Sequence, residues 1–245
     1  MVFAGINRTS TRWIDSNTLP KSEKLYFTTK MKTALPDKIK LLDELEHHYL
    51  THKEAIRVRL SEFQSVPPSE YFYELTYCLL TPQSSAAHAE QAVAQLRDAG
   101  FRSQHIDPEP ILRHKEHYIR FHKTKTRHLL HMKEQFSDIA QKLSEPASAS
   151  DLREWLVTHI IGLGYKEATH FLRNIGKNNG LAILDRHILR MLERLGVLDS
   201  IPKSINKNKY LEIEQRFKMF ANDIGIVLDE LDLVFWSMGT GEIRK

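Results

Sequence analysis

The chain has one cysteine, Cys78, among 245 residues. A single thiol closes no intrachain disulfide, so the fold needs no oxidising compartment. It also excludes an iron–sulfur cluster held by four cysteines of one chain. No run of eighteen apolar residues exists to span a bilayer, and the first residues lack the basic flank and apolar stretch of a secretory signal. The thirteen histidines are scattered, with no HExxH and no compact ligand spacing, so neither a metal nor another cofactor is expected. Strand-like alternation is almost missing as well. A general charge excess is the last absence. The net +4 belongs to residues 1–36, which hold six Lys/Arg and two Asp/Glu, and the remainder is neutral. Global pI is therefore no argument for nucleic acid.

What is present is helical periodicity from residue 37 onward, with 41% apolar residues to build a core. The spacing predicts helices over 37–63, 69–81, 84–99, 108–118, 122–143, 150–160, 166–176, 185–195, 207–224 and 228–237. Pro67-Pro68, Pro82, Gly100, Pro108, Pro110, Pro146, Gly180 and Pro202 mark breaks between them. Ser69, Ser84 and Ser150 or Asp151 are the expected helix caps. Residues 1–36 are polar, lack periodicity and end at Pro36. They are expected to be an N-terminal extension without fixed structure. The fold class is all-α.

Charge is concentrated locally. Arg113 to Lys133 holds seven Lys/Arg against Glu116, with five histidines among them. Such a stripe tracks phosphates or is a solvated helix face, and composition alone does not choose.

The most informative stretch is Ile160-Ile161-Gly162-Leu163-Gly164-Tyr165-Lys166-Glu167-Ala168, followed by Leu184-Asp185-Arg186-His187. Two glycines one residue apart break a helix. They fall between two amphipathic runs, Leu152, Trp155, Leu156, Ile160 and Ala168, Phe171, Leu172, Ile175. The piece reads as helix, glycine hairpin, helix. A hairpin that opens a helix presents backbone N–H groups beside the positive end of the dipole, which suits a phosphate. Lys166 then brings an amine into the first turn. Alone, Lys166 is an ordinary solvated lysine and Asp185 an ordinary N-cap. Together they resemble a nucleophile and an electrostatic partner set around a sugar carbon next to a held phosphate. A lysine attacks only as the neutral amine, and Schiff-base lysines sit where the ammonium is disfavoured.

These residues carry a family resemblance. The run Ile161 to Ala168 with Leu184 to His187 resembles the helix–hairpin–helix DNA glycosylases, and Gly164 to Asn174 with Ala182 to Leu189 resembles, more narrowly, the archaeal-type 8-oxoguanine DNA glycosylase/AP lyases. Glu74 to Ser84 and Phe235 to Lys245 fit the same family. The likeness runs from about residue 40 to the end. It implies a two-lobed all-α fold, with 37–66 plus 179–245 in one lobe, 67–178 in the other, and an active cleft between them. It implies that Lys166 and Asp185 are catalytic, and that Phe121 and Trp236 stack on an extruded base. Gln83 would fill the gap left in the duplex, and the terminal Lys245 would read the lesion. Gly162, Gly164, Lys123 and Lys125 are the expected phosphate contacts. The missing cysteines set aside the cluster-containing relatives.

The implied activity is base-excision repair: removal of 8-oxoguanine and β-elimination at the abasic site through a lysine Schiff base. The partner would be double-stranded DNA bearing oxidised guanine, the enzyme a monomer, and its location cytoplasmic, on the nucleoid in a prokaryote. Two alternatives stay open: another oxidised base, or a non-enzymatic helix–hairpin–helix DNA-binding module.

Overall fold

The computed structural model describes residues 21–243, with side chains from Pro36 onward. Two compact units divide the chain, 1–44 and 45–245. The first is described through the helix that begins at Lys21. The expectation of an unstructured extension over 1–36 lies outside the described residues as far as residue 20; beyond it, residues 21–36 belong to a helix that runs on past Pro36, so that part of the expectation is corrected.

Eleven α-helices follow one another among the described residues: α1 (Lys21–Gln64), α2 (Tyr71–Leu80), α3 (Ala86–Asp98), α4 (Glu109–Leu112), α5 (His122–Glu134), α6 (Phe136–Ser144), α7 (Ala149–His159), α8 (Tyr165–Asn174), α9 (Arg186–Arg194), α10 (Lys207–Ile224) and α11 (Leu228–Thr240). Short 3-10 turns occupy Pro68–Glu70 and Lys115–His117. None is long and apolar enough to cross a membrane.

Several boundaries differ from the sequence reading for local reasons. Ser85 rather than Ser84 caps α3, accepting from His88 N. Ser148, not Ser150 or Asp151, caps α7, accepting from Asp151 N. Ser69 caps nothing, because Pro68 opens a 3-10 turn there. The single helix expected over 122–143 breaks at Gln135, whose backbone leaves the helical region at φ −93°, ψ 2°. No proline or glycine marks that break.

Within residues 45–245, α2 is the centre. Eight of its ten residues are buried, Phe72 to Leu80 except Glu74, as expected of a helix apolar on every side. Cys78 lies there, fully buried. Around it, α3, α5, α6, α7 and α8 contribute Leu96, Leu129, Ile139, Leu156 and Phe171 to one hydrophobic cluster. The carboxy-terminal helices pack separately, Phe217 of α10 stacking on Phe235 of α11 at 5.4 Å. The second half of α1 is fixed to α11 by Glu230, which accepts from Tyr49 Oη and, at 2.9 Å, from Arg57 Nε.

Candidate active site

The hairpin forms as the glycines dictate, but for two different reasons. Gly162 has φ +87°, where a side chain is strained, and a Cβ there would stand 2.1 Å from His128 Nδ1. Both the turn and the close approach of α5 require glycine. Gly164 is extended at φ −89°, ψ 178°, and serves as the N-cap of α8 without a side chain to cap it. The leading N–H groups of α8 are thus left for another acceptor. Lys166 stands in this first turn, with its side chain about a quarter exposed and its ammonium 3.7 Å from Glu167 Oε1.

Asp185 is held by a different construction. The link before α9 is tied to α10: Tyr210 Oη donates to Ala182 O at 2.6 Å and accepts from Leu184 N at 3.3 Å. Glu214 accepts from Ala182 N at 2.9 Å. Glu214 in turn binds Arg153 of α7 in a bidentate pair of 2.6 and 3.1 Å, with Arg153 only 1% exposed. Buried charges persist where they are paired and hydrogen-bonded, and this pair has the Ala182 amide as well. Asp185 then caps α9, its Oδ1 accepting from Ile188 N at 2.9 Å.

Both helix starts open on one cavity of about 330 Å³, within the range of small-molecule sites. Lys166, Asp185, Gln83 and Trp236 all line it. Trp236 meets the His187 ring edge-on at 4.9 Å, and its Nε1 has no hydrogen-bond partner among the described residues. Tyr77 and His170 add polar aromatic wall. A further carboxyl lies in the lining. Asp232 is 3.2 Å from Arg173 Nη1, and burial pushes its carboxyl up to about 7, with Asp185 and Asp229 raising it and Arg173 and Lys166 opposing. At neutral pH this group is divided between hydrogen-bond donor and acceptor forms. A lysine, two carboxyls of different character, an aromatic face and an uncapped helix start suit a phosphorylated sugar bearing a flat base.

The 8-oxoguanine DNA glycosylase family model with a helix–hairpin–helix matches residues 56–226. The chain belongs to the 8-oxoguanine DNA glycosylase family. An 8-oxoguanine DNA glycosylase/AP lyase of Fusobacterium nucleatum is 34% identical over 214 residues, covering 83% of this chain and 97% of that protein. One from Methanocaldococcus jannaschii is also 34% identical, covering 84% and 99%. The crystal structure of the Methanocaldococcus jannaschii 8-oxoguanine glycosylase/lyase in complex with a 15mer DNA containing 8-oxoguanine superposes with a TM-score of 0.73 at 32% identity. It covers 84% of this chain and all of its own. The fold is the all-helical one of this family, with its helix–hairpin–helix.

Against the expected site residues the structure makes one correction, in the basic stripe. Lys125 does not lie on the solvated stripe. It is 5% exposed, and its Nζ donates to Leu80 O, Pro82 O and Ser84 Oγ, leaving no N–H for a phosphate. Its neighbours Arg120, Lys123 and Arg127 are exposed. Phe121 does not line the cavity. It is half exposed in the left-handed region at φ +60°, with the Arg120 guanidinium 4.9 Å from its ring centre. Lys245 lies outside the described residues. Asp232 and Arg173 were missed from sequence, where a 59-residue separation hides their pairing. Their one signal is a buried-side arginine in α8 and an aspartate inside the apolar run of α11.

Proposed function

We propose that this protein removes 8-oxoguanine from DNA and then cleaves the abasic site, with Lys166 as nucleophile and Asp185 as its electrostatic partner. The observation that carries the reading is their convergence on one cavity from two helix starts that are built differently. A backbone phosphate occupies the uncapped start of α8, beside Gly162 and Gly164. This brings C1′ of the adjoining nucleotide to Lys166. The neutral amine attacks C1′ and the C1′–N9 bond breaks, its electrons leaving with the base. Asp185 stabilises the positive charge that develops on the sugar. The amine loses a proton and the ring opens to an imine at C1′. The imine acidifies C2′. Loss of a C2′ proton then expels the 3′ phosphate, and hydrolysis of the imine frees Lys166.

The extruded base lies against Trp236, with Phe121 approaching from the α5 side, and Gln83 fills the space left in the duplex. Duplex DNA containing oxidised guanine is the partner, gripped additionally by exposed Lys123. An acceptor for N7–H, which 8-oxoguanine has and guanine lacks, would tell the two bases apart, and Lys245 is the residue proposed for that recognition. Asp232, in the same cavity lining, supplies a further hydrogen-bonding group to the base. Borohydride trapping on a duplex with a single 8-oxoguanine tests the whole reading. A covalent adduct together with a β-elimination product is expected. Trapping only on a different oxidised base would keep the chemistry and change the substrate. Binding without any adduct would leave a DNA-binding module.

A further inference from the structure

The side chain of Lys125 is absent from the cavity lining, yet it is among the most constrained cations of the molecule. Its Nζ reaches Leu80 O at 2.6 Å, Pro82 O at 2.7 Å and Ser84 Oγ at 3.2 Å. An ammonium has three N–H donors, so each is used. The three acceptors bracket Gln83, an exposed residue with φ +56°. A non-glycine residue in the left-handed region persists only where its surroundings hold it. Leu80 ends α2, and a cation on the last carbonyls of a helix also answers the negative end of its dipole. The same Ser84 hydroxyl accepts from Arg120 N at 3.1 Å, tying the turn to the residue before Phe121, itself at positive φ. Burial pushes the Lys125 ammonium down to about 8, with Glu167 opposing. An apolar side chain would fill this space without that penalty.

We infer that Lys125 is a positioning residue: by clamping residues 80–84 it presents Gln83 to the duplex already in its working conformation. This rests on the reading of Gln83 as the residue that fills the vacated position. A wedge ordered in advance does not have to be ordered on binding, which is how a rigid loop gains over a floppy one. Lys125 acts through Gln83 and touches no reacting atom.

A double-mutant cycle tests this. Lys125→Met, Gln83→Ala and the double variant are compared by single-turnover excision from a duplex with one 8-oxoguanine opposite cytosine, and from the same strand unpaired. Each single change should slow duplex excision by about tenfold or more, the scale of a misplaced positioning group. The double variant should be no slower than the slower single, because coupled residues are not additive. Excision from the single strand should fall less than duplex excision in all three, since it has no vacated position to fill. Ser84→Ala removes one acceptor and should give a smaller loss with the same non-additivity, which carries the cycle if Lys125→Met folds poorly. Multiplying effects in both cycles would overturn the inference. So would a Lys125→Met salt slope lower by roughly 0.9, the mark of a lost phosphate contact. Duplex excision untouched by Gln83→Ala would remove the reading of Gln83 and this inference together. A Gln83-sensitive enzyme with additive cycles would remove this inference alone.

Discussion

Helices α8 and α9 both begin at the same cavity, and their first turns are opposites. The start of α8 is left open: Gly164 has no side chain, and no cap hydrogen bond closes it. The start of α9 is closed by Asp185, whose carboxylate already satisfies the Ile188 amide. An open start is a socket for an anion from outside. A closed start is a fixed anion supplied by the chain. On the proposed function, the first holds a substrate phosphate and the second opposes a substrate cation. Each end is supported according to its task. Gly162 is pressed against His128, which sets the hairpin, whereas Asp185 is set through backbone ties to Tyr210 and Glu214.

The difference is open to attack from either side. Lys166→Gln at the open end should produce the largest effect, with loss of both strand cleavage and borohydride trapping while duplex affinity stays near the parental value. A trapped adduct in this variant would show that another amine does the chemistry. Asp185→Asn comes next. Asn still caps a helix at little cost, so the melting temperature should hold while excision falls by at least about a hundredfold, the scale of one electrostatic stabiliser. Asp185→Ala should lose a further ~1 kcal/mol of stability as the cap disappears. Full excision by the Asn variant would reduce Asp185 to a cap.

Gly162→Ala tests the hairpin itself. It strains a φ of +87° and drives a methyl group into His128, so more than about 1 kcal/mol of stability should go, with weaker duplex binding. Denaturant titration and a binding isotherm read the two. Relief of half or more of the stability loss by His128→Ala would assign it to the contact, and none would assign it to the backbone.

The smallest effect is electrostatic. Lys166 lowers and Asp185 raises the affinity of Asp232 for its proton. Lys166→Gln should therefore shift the Asp232 titration above about 7 and Asp185→Asn below it, seen in the carboxyl carbon resonance. Shifts of one sign would mean that the two ends do not face Asp232 as described. The same group gives the folded state a pH dependence. The folded protein holds this proton more tightly than an ordinary aspartate with a value of 3.8 does. Its stabilising contribution is complete below pH 4 and is lost as pH rises through about 7. Asp232→Asn should flatten that fall in a series of melts.

What was legible in the sequence was local. The hairpin between two amphipathic runs, the lysine in the first turn after it and the aspartate capping the next helix are all decided by residues within a few positions. They stand where the spacing predicts. Caps slipped by a residue or two because serines cluster near each start, and the side chain that meets the N3 amide is chosen by backbone geometry. Lys125 was misread for the opposite reason. Its chain neighbours are solvated bases, but its acceptors lie 41 to 45 residues away. The Arg173–Asp232 pair is hidden in the same way, across α8 and α11. The Gln135 break carries no proline or glycine, so no residue type in that run announces it.

Cys78 carries a consequence of its own. It sits at zero exposure on α2, one position from Tyr77 of the cavity wall. A thiol reagent can reach it only when that helix is uncovered, so each alkylation event marks an opening of the innermost layer. With a single sulfhydryl in 245 residues, the labelling rate comes from one place and needs no deconvolution. The protein carries its own clock for how often its centre comes apart.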